Sequence, residues 1–253
     1  MSQLTRGLRS LKFGMNTRIA SASRRPARYG RDIGSLAEAR RDFFSRPSPY
    51  LIGGGILALA MLRIALGELG WRDAVAVAAM LIVYPFGEWA IHVYVLHMPS
   101  FRIAGRRIES PAARNHREHH MQPNNLGLLL LEPKELAGLL LLSVPLTVAV
   151  GGLLVGVLFG AVPFGALVSA AVAGYCMVFV YEWTHFLIHT GHRPRSRLFR
   201  SISRNHRLHH FKNEHYWHGI TNTVSDKVLG TNPDHRSVPR SETARTLDPG
   251  TPE

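Results

Sequence analysis

Apolar residues along this chain collect into four long blocks: Tyr50 to about Leu69, Ala74 to about Leu96, Leu136 to about Val162, and Phe164 to Ile188. A helix of about 20 such residues crosses roughly 30 Å of hydrocarbon, so each block predicts a membrane span. Gly67 to Asp73 joins the first two blocks and leaves room only for a tight turn. Pro163 and Gly165 mark a second tight turn between the last two. The polar stretches between and after the hairpins, 98–134 and the residues from Thr190 on, hold the remaining structure. The predicted fold is an all-α membrane protein with four transmembrane helices in two hairpins and a histidine-rich helical cap.

Details inside the blocks refine this. Arg63 interrupts the first block near its far end, where it can snorkel outward or pair with Glu68. Pro85 and Glu88 lie within the second. Gly152, Gly156 and Gly160 recur every four residues in the third, and Ala166, Ala170 and Gly174 do so in the fourth. Small residues at that spacing let membrane helices approach closely, so the third and fourth spans are expected to pack as a tight pair.

Charge sets the orientation. The formal net charge is +13, and the basic residues lie at both ends and in the 98–134 loop, while the two tight turns carry no excess. Short loops rich in Lys and Arg stay on the cytoplasmic side, so both hairpins enter from there and both termini are expected to be cytoplasmic. Aromatics are not interleaved with the basic runs, so lipid headgroups rather than nucleic acid are the expected anionic partner. Residues 1–48 read as a mobile basic arm held near anionic lipid, with an organelle transit peptide as the alternative. Residues 49–232 form the membrane-embedded domain, and 233–253, rich in Pro, Ser and Thr, read as a disordered tail. Arginine far exceeds lysine, which points to a bacterial inner membrane rather than the endoplasmic reticulum. Cys176 is the only cysteine, so neither a disulfide nor a thiolate cluster is available.

What remains is a set of histidines. Ten of the fourteen fall into four groups: His92 and His97; His116, His119 and His120; His185 and His189; His206, His209 and His210. Each group lies at or just beyond an apolar block or in the polar loops, and the predicted topology puts all four on one side of the membrane. Neutral imidazole is a good ligand for iron, zinc and copper. On a helix, positions three or four apart share a face, so His185 and His189 can aim at one ion. Each HxxHH run offers a pair on one face plus an adjacent ring about 100° further round, which can reach a second ion. His92 and His97 are five apart, about 140° round a regular helix, and could share an ion only if the helix ended between them. Ten ligands suit two ions.

The order HX4H, HX2HH, HX3H, HX2HH on two membrane hairpins resembles the fatty acid hydroxylase superfamily, which includes sterol desaturases and fatty acid 2-hydroxylases. The segment Tyr181 to His189 is similar to that family's fourth-helix motif. Asn205 to Asn213, followed by Gly219 to Thr221 and Asp226, is similar to its C-terminal motif. The resemblance covers about residues 85–232 and is nearest to the fatty acid 2-hydroxylases. It implies that the ten histidines bind two iron ions, with zinc as a possible substitute in purified protein. It also implies hydroxylation or desaturation of a lipid C–H bond, with dioxygen as co-substrate and electrons from a separate cytochrome b5- or ferredoxin-like protein. His218 stands where relatives often carry an aromatic, and His215 adds a ring nearby; either can be an outer group, a substrate contact or ordinary solvated histidine. Glu88 and Glu182 can orient an imidazole or pair with an arginine, and Asp226 joins them as an outer candidate. The rival readings are a sterol or carotenoid desaturase or hydroxylase, a metal transporter and a scaffold with structural zinc. A transporter needs ionisable residues along a mid-membrane path, whereas these histidines collect at one edge.

Overall fold

The computed structural model describes residues 28–247 apart from 105, 131 and 194. Four helical stretches are long and apolar enough to cross a membrane. The first is α2, Pro47–Ala65, reached through the short α1, Leu36–Phe43. It starts three residues before Tyr50 because Pro47, with no N–H to leave unsatisfied, suits the first helical turn. It stops before Leu69 because the chain reverses at Gly67, whose φ of +71° is left-handed. The second span, Trp71–Leu96, consists of α3, Trp71–Ile91, and one π-helical turn, His92–Leu96.

A small β-hairpin follows, β1 Phe101–Ile103 against β2 Arg106–Ile108, the only strands among the described residues. After α4, Pro111–Met121, the third span is assembled from α5, Pro133–Gly138, a π turn, Leu139–Ser143, and α6, Val144–Phe159. Proline in a helix removes a hydrogen bond and crowds the preceding turn, and Pro145, two residues beyond this π turn, is a sufficient cause for it. The fourth span, α7, is Phe164–Ile188, with the bounds the hydropathy predicts. It is followed by α8, Arg197–Phe211, and the short α9, Val224–Val228.

The membrane bundle is organised on α7, which packs mainly against α3 and α2, while α6 leans more on α3 than on α7. The third and fourth spans do touch, at Gly174 against Val144 of α6 and Gly152 against Leu167 of α7, but they are not the tightest pair, and the small residues serve α3 as well. Gly174 accommodates Met80 of α3 and Val144, and Ala166 and Ala170 are buried in the same core. Only Gly152 of the other ladder comes close to α7, through Leu167, while Gly156 faces open space. Leu57, Ile64, Leu141, Leu142, Leu153 and Val157 point outward, an apolar surface suited to lipid tails.

Arg63 neither snorkels nor meets the Glu68 carboxylate. It is buried, donates to Asp73 at 2.7 Å and to Ser169 at 3.0 Å, and donates to the carbonyls of Gly67 and Glu68 at 2.6 and 2.8 Å. It therefore closes the end of the bundle remote from the histidines, tying the first turn to α7.

Both termini depart from the expected loose segments. Residues 1–27 of the basic arm lie outside the described residues, but 28–46 are fixed against the bundle. Asp42 takes Arg28 at 2.6 Å and Arg46 at 2.7 Å, and Arg46 reaches on to the Leu126 carbonyl at 2.7 Å. Phe43 meets Phe179 and Trp183 edge-on and Phe186 at a tilt. Gly30 lies so close to the His189 carbonyl that no Cβ would fit, and its own carbonyl accepts from Gly191 N at 3.0 Å. At the other end, residues 233–247 form no regular element but are hydrogen-bonded across the cap as a strap. Ser241 and Thr243 donate to Glu214, Ser241 N donates to the Lys212 carbonyl at 2.8 Å, and Arg245 donates to the Met121 carbonyl at 3.0 Å. The disorder read from composition overlooked these partners, since a polar strap needs no apolar pattern of its own. Residues 248–253 lie outside the described residues.

Candidate metal centre

All four histidine groups meet at one end of the bundle, and the rings sort into two sets of five. Pocket A contains His92, His97, His116, His120 and His209; pocket B contains His119, His185, His189, His206 and His210. Within each set the candidate ligand atoms lie within 4.8 Å of one another, and every ring except the half-buried His97 is buried.

Local backbone geometry explains the sorting. In α4 the i and i+4 rings, His116 and His120, go to pocket A and the intervening His119 goes to B. In α8 the assignment is reversed: His206 and His210 go to B and His209 to A. The two helices thus each span both pockets. His92 and His97 share pocket A because the helix ends between them: regular α-helix stops at Ile91, a π turn covers His92–Leu96, and His97 is its C-cap. The π turn supplies a bond from His97 N to the His92 carbonyl at 3.1 Å, and an i to i+5 bond stacks residues five apart on one face.

The ring nitrogens crowd in a way that imidazoles alone do not explain. In pocket A, His116 Nε2 lies 3.2 Å from His92 Nε2, 3.1 Å from His97 Nε2 and 3.2 Å from His120 Nε2, and His209 Nε2 is 3.2 Å from His97 Nε2. Three of these rings have a determined tautomer, because their Nδ1 faces a carbonyl that can only accept. His92 Nδ1 donates to the His218 carbonyl at 2.6 Å, His120 to Ala244 at 2.9 Å and His209 to Tyr216 at 2.8 Å. Their Nε2 atoms are therefore bare lone pairs, and one proton on His116 cannot serve three neighbours. A shared cation can. Metal–imidazole bonds of about 2.0–2.1 Å put neighbouring ligand nitrogens about 3 Å apart, as here. Pocket B has the same spacing: His189 to His206 2.9 Å, His206 to His210 3.0 Å and His210 to His119 3.1 Å, all between Nε2 atoms. The residues fit a pair of metal ions.

Burial, then the crowding of neighbouring rings, holds His97, His116, His119, His189, His206, His209 and His210 well below the ordinary histidine range. Burial takes His120 down to about 4 although the Ala244 carbonyl opposes the shift. These rings are neutral at physiological pH, the form a metal requires.

The outer candidates fall into different places. Glu88 orients no imidazole and pairs with no arginine; it accepts from Ile220 N at 2.5 Å, from Thr221 N at 3.0 Å and from the Thr221 hydroxyl, so it anchors the loop after α8. Asp226 fixes the same loop, accepting from His218 N at 2.9 Å and Gly219 N at 2.8 Å. That loop carries the carbonyls that hold His92 and His209. Glu182 accepts from the Ser48 hydroxyl of α2. The ring of His218 lies against His92, His97 and His209, outside both sets of five. His215 is exposed and lies 3.6 Å from Glu214. Backbone carbonyls of Tyr216, His218 and Ala244 have no side-chain signature and escaped the sequence; the spacing of five in His92 and His97 was the one available sign of the π turn.

Beside pocket A opens a narrow apolar cavity of about 70 Å³ between α3, α6 and α7. Its walls run from Leu96 and Ile91 at the π turn to Met80 and Thr147 deeper in the bundle, with Glu88 and Tyr181 among them.

The sequence pattern of the fatty acid hydroxylase family matches residues 77–231, more than half of the chain. The chain belongs to that family. The matched range contains all ten histidines. Among curated proteins, the chain is 30% identical over 156 residues to a dihydroceramide fatty acyl 2-hydroxylase, FAH2, of Arabidopsis thaliana. That alignment covers 61% of this chain and 61% of the relative, so the shared part is somewhat under two thirds of either chain. Among solved structures, the fold is similar to the hydroxylase domain of Scs7p, with a TM-score of 0.56, 18% identity, and coverage of 77% of this chain and 68% of that one. With four spans, the family member described here is a multi-pass membrane protein.

Proposed function

We propose that this protein is a membrane-bound lipid hydroxylase that inserts an oxygen atom into a C–H bond of an acyl chain, with two iron ions held by the two sets of five histidines. The reaction balances as R–H + O2 + 2 e− + 2 H+ → R–OH + H2O, the electrons coming from a separate carrier protein. The observation that carries this reading is the pairing of two all-histidine pockets at one end of a four-span bundle with a cavity that starts at the His92–Leu96 turn. Bound iron supplies the redox chemistry that activates dioxygen.

The chain's residues do the rest. Burial keeps the imidazoles neutral, and the carbonyls of Tyr216, His218 and Ala244 fix which nitrogen of His209, His92 and His120 faces inward. Glu88 and Asp226 hold the loop that presents two of those carbonyls. The acyl chain enters from the bilayer between α3 and α6, and the apolar walls from Ile91 to Met80 align it and exclude water. The basic loops favour a cytoplasmic cap and cytoplasmic termini, and the arginine-rich composition favours a bacterial inner membrane. The 2-hydroxylase relative favours hydroxylation over desaturation and a fatty acyl lipid over a sterol. A transporter is disfavoured because the buried acids Glu88 and Glu182 are committed to Ile220, Thr221 and Ser48 rather than lining a path.

Lipid profiling of cells making the protein tests this, with His189→Ala and His209→Ala as controls. A new oxygenated acyl lipid that disappears in both variants, with membrane insertion intact, is expected. An unchanged lipid profile under iron-replete growth contradicts it.

A further inference from the structure

The cap carries a basic cleft that the chemistry above leaves unused. The helix α8 has four arginines and no acid, and Arg197, Arg200 and Arg204 recur on one exposed face. Like charges at that spacing disfavour a helix, and none of the three joins an ion pair among the described residues. Arg204 and Arg236 flank a cleft of about 420 Å³, with Asn205 and Leu208 on its wall, Asp234 its one acid and Trp217 lining it.

Trp217 links this cleft to pocket A. Its ring is 1% exposed and its φ is +59°, a left-handed backbone that a bulky residue rarely adopts. Outliers of this kind cluster at functional sites. The carbonyls on either side of it, Tyr216 and His218, accept from His209 and His92. One residue of chain therefore separates the cleft from the backbone that holds two candidate ligands of pocket A.

We propose that this cleft is the docking site for an acidic one-electron carrier protein. The inference rests on the hydroxylase reading, which requires two electrons from outside the chain. Charge complementarity selects the partner: uncompensated arginines on a concave surface match carboxylates projecting from a small protein. A planar headgroup layer would meet the stripe on α8 but not the recessed wall formed by Trp217 and Asn205.

The test uses the full chain, zinc-loaded, in zwitterionic nanodiscs, with the soluble haem domain of a cytochrome b5 and a [2Fe–2S] ferredoxin as probes and binding read by biolayer interferometry. At least one carrier is expected to bind, about tenfold more weakly at high than at low salt. The double reversal Arg204→Glu with Arg236→Glu should weaken binding about tenfold or more, and Arg236→Gln alone, on the exposed segment, about threefold, as for rim charges of a steered interface. Arg102→Glu on the β-hairpin should change it less than about twofold. Zinc content and circular dichroism of the variants should match the parent. Carrier affinity unchanged in the double reversal overturns the proposal. So does a reversal that alters only the response to anionic lipid in the nanodisc, which would make the cleft a headgroup site. Product formation by iron-loaded protein, measured in parallel, separates the two ideas: an iron-loaded parent that oxygenates no lipid with any carrier fails the hydroxylase reading, whereas variants that turn over and bind as the parent does fail only this one.

Discussion

Pockets A and B contain the same five-imidazole chemistry but are supported differently. In pocket A, three outward nitrogens donate to backbone carbonyls: two in the loop after α8 and one in the C-terminal strap. In pocket B, the outward Nδ1 atoms of His119, His206 and His210 find no partner among the described residues, while His189 meets the carbonyl of Pro123. Pocket B draws its rings from α4, α8 and the end of α7, whereas A takes the π turn and its C-cap in place of α7. The difference teaches that one site is positioned mainly by helix packing and the other by loops that could be changed without touching a ligand. Outer partners of metal-bound histidine are worth about 10–100-fold in metal affinity, so the two pockets should respond unequally to the same kind of insult.

The largest expected effect separates the pockets by their ligands. His116→Ala removes the ring at the centre of three close contacts in A, and His206→Ala removes its counterpart in B, linked to His189 and His210. Each should lose the metal of its own pocket and all product, read by metal analysis and lipid profiling. Loss of both metals from either single change would show that the pockets are one cooperative unit.

Next comes the strap. A chain ending at Asn232 lacks the Ala244 carbonyl, and its affinity for the metal in pocket A should fall about 10–100-fold under chelator competition, with B changed much less. Equal losses from both pockets would remove the asymmetry described above.

Acid should act on the metal-free cap more gradually. A histidine near 6.5 when unfolded and well below that when folded leaves the native state with fewer bound protons. Stability is therefore fully present above about pH 6.5 and declines as pH falls from there, down to about 4 for His120. Thermal melts of apoprotein across this range should show that decline; melting temperatures independent of pH would mean the rings are not buried as described. The smallest effect is expected from Glu88→Gln, which keeps the shape but weakens the hydrogen bonds to Ile220 and Thr221 by about 1 kcal/mol. It should loosen metal in pocket A only, through the loop.

Much of this was legible in the sequence, for reasons tied to particular residues. Hydropathy found α7 to the residue because no proline or π turn breaks Phe164–Ile188, and it blurred the third span because Pro145 and a π turn divide it. The histidines were legible as a set, and helix periodicity foresaw that each HxxHH run divides its rings between two directions. Their partition was not, since it depends on how α4 and α8 face each other. The π turn at His92, the left-handed Trp217 and the strap carbonyl at Ala244 are backbone features, and side-chain identity does not encode them. Glycine spacing was only partly informative, because Gly156 faces open space while Gly174 receives Met80 of α3 as well as Val144 of α6.

The most direct test of two separate metal sites is the metal content of full-length protein purified after iron-replete growth, combined with Mössbauer spectroscopy. The account predicts two irons per chain in two distinguishable environments, with His116→Ala and His206→Ala each removing a different one. A single metal per chain, or zinc alone in both pockets with no iron taken up, would contradict it.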